Sequence, residues 1–260
     1  MSNNCLLSKL KAAVDNPMLK GLNEFEMDAR YTESSNPISQ SFTIQMPNSE
    51  SGTIYVTEGG AFAESLAELE TNPLTSLSFT GSKVLYFKNA NYKIRVTDKS
   101  KIRNLSSSTD TYTRLRVVMP TVEQLSYLPI CTKIVVYGVN FEEDITKLTE
   151  LPALVDLRCQ HCNAFGDIKG LAKFKGLTTL RAEDSKVSGT LESFLVAQWQ
   201  GSDGRKSGSI GVHIEDTLAT FHGNIPTGVL SAQFADGGIT VTEGGTTIAT
   251  YNGSTWSYVS

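Results

Sequence analysis

The sequence has little charge and few apolar residues for a chain of 260 residues. Charged residues make up 19% of it and apolar residues 40%, against about 25% and about 45–50% in a typical globular protein. Serine and threonine, with 27 residues each, and 21 glycines take their place. A net charge of −4 with 11 Phe, 9 Tyr and 2 Trp excludes an intrinsically disordered chain, which combines high net charge with few aromatic residues. We therefore expect a large polar surface over a modest core, as in extended β-rich and repeat proteins.

Other absences exclude whole classes of function. A pI near 5.5 and the lack of a basic run argue against nucleic-acid binding, which usually involves a basic face. The longest apolar stretches, such as residues 134–137, are far shorter than the roughly 20 residues of a membrane span. The N-terminus lacks the apolar core of about 7–15 residues that a secretory signal contains, so we expect assembly in the cytosol, or transport outward as part of a larger assembly. The cysteines are too few and too unevenly spaced for a disulfide framework: they are Cys5, Cys131, Cys159 and Cys162.

A repeat with a period of 23 residues runs through residues 125–194. Eight columns recur in three consecutive copies without a gap and are apolar everywhere except at Ser185, so that Leu148, for example, corresponds to Leu171. The second half of each copy has apolar residues three apart, which predicts a short helical or 3₁₀ segment. The residues expected to face inward from three short strands are Ile134 and Val136, Leu157 and Cys159, and Leu180 and Ala182.

This pattern, L-x-x-L-x-L-x-x-N-x-L at a period of about 20–29 residues, resembles the leucine-rich repeat. The resemblance implies that each copy contributes one short strand to a parallel sheet and returns through a turn and a helical or irregular segment. The sequence departs from that family at the Asn of the turn, where it has Val139, Cys162 and Ser185. Cysteine is a known substitute there and serine bonds more weakly, whereas the turn at Val139 must satisfy its backbone differently.

Fainter copies flank the clear ones. Strand-like pairs centred near residues 77, 94 and 115, and again near 212 and 230, extend the pattern in both directions. The polar run at 201–209 predicts a surface loop. We therefore interpret residues 31–235 as one leucine-rich-repeat-like solenoid.

The C-terminal residues 236–260 predict an antiparallel β-meander that caps the open edge of the solenoid. Its alternating strands are separated by Glu243-Gly-Gly and by Asn252-Gly253, and Asn-Gly is the strongest short-range signal for a hairpin. The string Val-Thr-Glu-Gly-Gly occurs at 56–60 and at 241–245, and both copies predict hairpin turns.

The N-terminal residues 1–30 are interpreted as a docking segment. Apolar residues at a spacing of four predict a short helix that ends before Pro17, and a helix this short needs a surface to pack against. Residues 5–22, Cys-Leu-Leu-Ser-Lys-Leu-Lys-Ala-Ala-Val-Asp-Asn-Pro-Met-Leu-Lys-Gly-Leu, resemble the opening of virion proteins from phages and prophages of Bacteroidota, the crAss-like phages among them. The resemblance implies that the segment attaches the body to a particle. The residues expected to make this contact are Leu6, Leu10, Val14, Leu19 and Leu22.

No constellation of residues predicts catalysis, a cofactor or a metal site. Cys159-Gln-His-Cys162 has the spacing of a zinc or redox motif, but both cysteines fall on inward positions of the repeat, and no second C-x-x-C or H-x₃-H supplies further ligands. The acidic pairs at 142–144 and 183–184 could imitate a hydrolase dyad, yet they are more typical of solvated turns. We therefore expect a protein that is not an enzyme.

The repeat does predict a binding surface. Equivalent positions of neighbouring parallel strands lie about 4.8 Å apart, so the outward residues form three rows across the sheet. The rows are Lys133, Asp156 and Thr179; Val135, Arg158 and Arg181; and Tyr137, Gln160 and Glu183. A mixed polar face of this kind suits a protein or glycan partner, and a merely solvated face is the alternative. The residues expected to contact a partner are Lys133, Tyr137, Asp156, Arg158, Gln160, Arg181 and Glu183.

Together these features predict an α/β fold: a leucine-rich-repeat-like solenoid with one parallel β-sheet, a short N-terminal helical segment and a C-terminal antiparallel β-meander. The predicted function is that of a non-enzymatic structural protein of a phage particle: a head fibre, a decoration protein or a tail-associated protein, localised to the virion. Its expected partners are other virion proteins, copies of itself (a trimer by analogy) and a host-surface glycan or protein. The alternative is a bacterial leucine-rich-repeat binding module or adhesin, and a polysaccharide depolymerase is a more distant possibility.

Overall fold

Strands dominate the structure, a computed structural model that describes residues 25–31, 41–47, 51–57, 62–87, 92–96, 101–108, 115–118, 122–126, 128–137 and 141–259. The helices in these ranges are short: α1 (Leu66–Thr71), α2 (Val122–Leu125) and α3 (Leu191–Trp199), with the 3₁₀ segments η1 (Ile145–Lys147) and η2 (Ile168–Lys173). None of them has the length and apolar character needed to cross a membrane.

The strands fall into an early and a late set. The early strands are β1 (Phe25–Tyr31), β2 (Ser41–Gln45), β3 (Ser51–Thr57), β4 (Phe62–Ala63), β5 (Ser76–Thr80), β6 (Ser82–Phe87), β7 (Tyr92–Val96), β8 (Asn104–Ser108) and β9 (Leu115–Val118). The late strands are β10 (Lys133–Tyr137), β11 (Asp156–Gln160), β12 (Phe165–Asp167), β13 (Thr179–Arg181), β14 (Lys186–Thr190), β15 (Ser209–His213), β16 (Leu218–Thr220), β17 (Leu230–Ala235), β18 (Gly238–Glu243), β19 (Thr246–Tyr251) and β20 (Trp256–Tyr258).

The largest sheet formed by the described residues is mixed. It has twelve strands in the order β20-β19-β18-β17-β15-β13-β11-β10-β8-β2-β6-β4. The central strands β8, β10, β11, β13 and β15 are parallel, whereas the strands on both sides of this block pair antiparallel. The expectation of one parallel sheet for residues 31–235 was therefore wrong, since β2, β4, β6 and β17 pair antiparallel within that range. At the C-terminal side the chain turns back through short hairpins, which only antiparallel strands permit.

The parallel block confirms the register that the 23-residue period predicts. Lys133 pairs with Asp156, and Asp156 with Thr179. The residues expected to face inward are buried, with 0–2% of their surface exposed: Ile134 and Val136, Leu157 and Cys159, and Leu180 and Ala182. The same core continues into Val212 and Ile214, at and just beyond the end of β15.

Each return segment begins at a residue that also recurs every 23 positions and caps a helical turn. The side chain of Asp144 accepts a hydrogen bond from the backbone N–H two residues later at 3.1 Å, and that of Asp167 does the same at 2.9 Å. Thr190 caps α3 by accepting from the N–H three residues later at 3.3 Å. These bonds satisfy N–H groups that have no partner within the helical turn. The apolar residue after each cap is buried: Ile145, Ile168 and Leu191.

Two glycines make room for the aspartate caps. A Cβ on Gly166 would clash with the side chain of Asp144, and a Cβ on Gly189 would clash with that of Asp167. Both glycines have positive φ, of 120° and 96°, which a residue with a side chain rarely adopts. Each aspartate therefore packs against the backbone of the next copy.

In two of the turns after the strands, a hydroxyl takes over the bonding role of the missing asparagine. Ser185 Oγ donates to the carbonyl oxygen three residues earlier at 2.6 Å and accepts from the N–H two residues later at 3.3 Å. Thr217 makes the same two bonds in the next copy, at 2.7 and 3.0 Å. The preceding residues, Asp184 and Asp216, have φ of 52° and 55°. Val139 lies outside the described residues.

The fainter copies before the clear repeats are not part of the parallel block. The strands centred near 77, 94 and 115 are β5, β7 and β9, and they join β1 and β3 in an antiparallel sheet of order β5-β3-β7-β1-β9. Alternating apolar residues fit parallel and antiparallel strands equally well, so this pattern alone did not distinguish them. A third sheet, β12-β14-β16, is parallel.

The C-terminal meander is present and begins with β17, ahead of residue 236. Strands β17 to β20 pair antiparallel in sequence order. Gly244 and Gly245, with φ of 56° and 84°, form the turn between β18 and β19, as a two-residue type I′ hairpin requires. Asn252 Oδ1 accepts from two backbone N–H groups, so the last hairpin has a longer loop. In the first copy of the repeated string, residues 58–60 lie outside the described residues.

The predicted N-terminal helix, with Leu6, Leu10, Val14, Leu19 and Leu22, also lies outside the described residues. Residues 25–30 of the expected docking segment belong to β1, an inner strand of the antiparallel sheet between β7 and β9.

Candidate functional site

The outward residues of the parallel strands form one continuous polar face. In its second row, Arg158 pairs with Arg181 and Arg181 with His213. Backbone hydrogen bonds continue beyond the strand ends, from His161 N–H to Glu183 and from Asp184 N–H to Glu215, at 2.9 and 3.0 Å. The third row therefore extends from Gln160 through Glu183 to Glu215.

Charged side chains on this face bind one another. Arg158 donates from Nε and a terminal nitrogen to the two oxygens of Asp156, at 2.8 and 2.9 Å. Lys133 Nζ lies 3.3 Å from the same carboxylate. The hydrogen bond to Asp156 raises the pKa of Arg158 above its usual value. The planar two-point geometry holds this guanidinium in one orientation.

A second cluster lies on the next strand. Arg181 donates from Nε and a terminal nitrogen to Glu183 Oε1, at 3.0 and 2.5 Å. Gln160 Nε2 donates to the same oxygen. All three donors therefore converge on Oε1, and the other oxygen of Glu183 is buried without a hydrogen-bond partner.

The structure brings most of the predicted contact residues together but exposes them unequally. The side chains of Lys133, Arg158 and Arg181 are 36%, 30% and 31% exposed. Asp156 and Glu183 are mostly covered, at 15% and 13%. Partner contacts are thus expected from the cations, with the carboxylates positioning them.

Gln160 and Tyr137 differ from the other residues that were predicted to contact a partner. Gln160 is buried, so it supports Glu183 rather than offering a contact surface. Tyr137 occupies the expected register opposite Gln160, and its side chain lies outside the described residues.

Sequence reasoning missed His213 and Glu215, which extend the face at its last strand. The interval from Arg181 to His213 includes α3 and the polar loop, so it is longer than 23 residues and hides the correspondence. The signal was available, because an inward Val212 and Ile214 imply outward neighbours at 213 and 215. One side-chain ligand atom from each of Glu183, His213 and Glu215 lies within 4.8 Å of the other two.

The C-x-x-C motif belongs to the core. Cys159 and Cys162 are 1% and 7% exposed, and burial raises the pKa of Cys162 to about 11 and that of Cys159 well above its ordinary value. Cys131 is equally buried, and its pKa is raised to about 12 for the same reason. His161, inside the motif, pairs with Asp184 at 3.0 Å. These thiols have the environment of structural cysteines rather than reactive ones.

A groove of about 570 Å³ lies beside the C-terminal meander. Its walls include Phe221, His222 and Tyr258, and the last two rings stack with centroids 3.7 Å apart. Tyr258 Oη donates to Glu192 at 3.0 Å. Burial and this carboxylate raise the pKa of Tyr258 to about 12, so the hydroxyl stays protonated at neutral pH.

Comparison of the chain with protein-family models, with curated proteins and with solved structures finds no match.

Proposed function

We propose that this chain is a non-enzymatic structural protein of a phage particle: a head fibre, a decoration protein or a tail-associated protein. Its N-terminal segment attaches it to other virion proteins, and a leucine-rich-repeat-like solenoid presents the polar face to a host-surface glycan or protein. The observation that carries the binding role is the in-register face, where Asp156 and Glu183 hold Arg158 and Arg181 in fixed orientations. The resemblance of residues 5–22 to virion proteins supports the attachment role.

Fixed guanidinium groups suit a binding surface because little side-chain entropy remains to be lost when a partner docks. Arginine also recognises carboxylate groups through its planar set of donors, so acidic glycans and acidic protein surfaces fit this face. The particle context implies several copies per site, and a homotrimer is the arrangement we propose by analogy.

Particle attachment is tested by deleting residues 1–24 from the chain encoded in the phage genome, and by a Leu6→Asp/Leu10→Asp variant. This deletion leaves β1 intact, whereas removal of 1–30 would also disrupt the antiparallel sheet. Mass spectrometry of purified particles should detect the wild-type chain and neither altered chain. A Lys9→Ala/Lys11→Ala variant is the matched control and should be incorporated. Absence of the wild-type chain from particles, or normal incorporation of the deletion, would contradict the proposal.

Receptor binding is tested separately with an Arg158→Ala/Arg181→Ala variant. Particles that carry it should contain the normal amount of the chain and bind host cells less well. Lys147→Ala, at an exposed position of η1, is the control and should leave binding unchanged.

The alternative is a bacterial leucine-rich-repeat binding module or adhesin, and the groove next to Tyr258 offers such a protein a second surface. Gene neighbourhood distinguishes the two: capsid, portal and tail genes accompany the first, and surface or metabolic genes accompany the second.

A further inference from the structure

We propose that Glu183, His213 and Glu215 bind a divalent transition-metal ion such as Zn²⁺ at the last strand of the parallel block. This inference does not depend on the particle role. Glu183 follows β13, and His213 and Glu215 lie at and just beyond the end of β15. Parallel pairing of these strands places Arg181 beside His213. The hydrogen bond from the backbone N–H of Asp184 to the backbone carbonyl oxygen of Glu215 places the two glutamates in the same row.

The unpaired oxygens provide the main evidence for a cation. Oε2 of Glu183 and Oε2 of Glu215 are both buried, and neither has a hydrogen-bond partner among the described residues. A buried carboxylate oxygen without a partner is costly. Arg181 neutralises only one of the two carboxylates and binds it through the opposite oxygen, Oε1.

The third residue of the cluster, His213, adds an imidazole nitrogen to the two carboxylates. His213 Nδ1 lies 3.9 Å from Glu215 Oε1, outside hydrogen-bond range. A neutral imidazole nitrogen and two carboxylate oxygens are ligands that Zn²⁺ accepts, and three protein ligands leave a position for water. A hard ion such as Mg²⁺ or Ca²⁺ instead prefers oxygen ligands only.

One ligand atom from each of the three side chains lies near the others, at a wider spacing than around a bound metal ion. They lie within 4.8 Å of one another, and ligands about 2.0 Å from a tetrahedral ion are about 3.3 Å apart. Binding would require side-chain rotations that bring these atoms closer together by up to about 1.5 Å. The ion would connect β13 to β15 across the segment that contains β14, α3 and the polar loop, where the 23-residue period is interrupted.

The test is titration of the purified, tag-free chain with ZnCl₂ by isothermal calorimetry, in a Cys5→Ser background that removes a cysteine outside the described residues. We expect one Zn²⁺ per chain and a rise in Tm, because an ion that binds only the folded chain stabilises it. His213→Ala and Glu215→Gln should each lower the affinity by at least about 10-fold, because loss of even a group that only supports a metal ligand typically costs about 10-fold or more.

His161→Ala is the matched control, because it removes a histidine of the same face that pairs with Asp184, and it should leave the affinity unchanged. Two variants are used so that a misfolded His213→Ala protein, recognised by circular dichroism, leaves Glu215→Gln as the decisive measurement. The inference is overturned if the parent chain binds no Zn²⁺ at 100 times the protein concentration, or if the folded variants bind as tightly as the parent.

Discussion

Arg158 and Arg181 are register partners on neighbouring parallel strands, yet each guanidinium binds a carboxylate two residues away along its own part of the chain. Two like charges are thereby stacked across the sheet, and Asp156 and Glu183 offset their repulsion. The two pairs differ in surroundings, because Asp156 also has Lys133 at 3.3 Å, whereas Glu183 has Gln160 and a buried, unpaired oxygen.

This difference predicts unequal costs of removing the two arginines. Arg158→Ala should lower the free energy of unfolding by no more than about 1 kcal/mol, since Lys133 remains to pair with Asp156. Arg181→Ala should cost about 1–3 kcal/mol, because it leaves a mostly covered carboxylate with fewer donors. Urea denaturation measures both. Lys147→Ala serves as the exposed control, and equal losses for the two arginine variants would contradict the argument.

Gly189→Ala should destabilise the protein strongly, by about 3 kcal/mol or more. Its Cβ would clash with the side chain of Asp167 at a backbone φ of 96°, so strain and overlap add. Gly223→Ala is the matched control, because φ there is 74° and nothing lies within 4 Å of an added Cβ. It should report the backbone strain alone, about 1 kcal/mol. Thermal or urea unfolding of the two variants compares them, and similar losses would show that the packing against Asp167 is unimportant.

Ser185→Ala should cost about 1–3 kcal/mol, because its hydroxyl satisfies one backbone carbonyl and one backbone N–H in a buried turn. Thr217→Val should cost a similar amount, since the turn of the next copy uses the same two bonds. Ser231→Ala, at an exposed position of β17, is the control and should change little. Urea denaturation measures the free energy of unfolding of these variants. An unchanged value for Ser185→Ala would mean that the turn does not need this side chain.

The buried thiols should be unreactive in the folded chain. Burial raises the pKa values of Cys131 and Cys162 to about 12 and 11, so the thiolate form that reacts is scarce at pH 8. In a Cys5→Ser chain, DTNB at pH 8 should label no thiol rapidly until urea is added, and then label three.

Ser254→Cys in the same background places a thiol in an exposed loop and should react at once. Rapid labelling of the folded Cys5→Ser chain, before urea is added, would show that the core around the C-x-x-C motif opens readily.

The period of 23 residues predicted the central part of the fold because it encodes two things at once. The inward columns determine which residues are buried, and the constant interval determines which residues are neighbours across the sheet. Asp156 and Arg181 could therefore be assigned to the correct rows from spacing alone, and the structure places them there.

The other features of the fold and of the face could not be predicted from the sequence, and each has an identifiable physical reason. Strands β5, β7 and β9 show only the alternation that any half-buried strand has, so their antiparallel sheet was not distinguishable from further repeats. The pairing of Arg158 with its own strand depends on rotamers, which spacing does not determine. His213 and Glu215 were not predicted as part of the face because an inserted helix and loop interrupt the 23-residue period before β15.

Asp144 packs against Gly166, and Asp167 packs against Gly189. This contact between neighbouring copies also determines how further copies could be added to the parallel block. A copy of residues 145–167 inserted after Asp167 would bring its own glycine to receive the existing aspartate and its own aspartate for Gly189. Every row of the sheet would gain one member without a new mismatch. The number of copies could therefore change, whereas the strands that flank the parallel block on each side occur once. Gene duplication within this segment would change the reach of the protein and leave both of its ends intact.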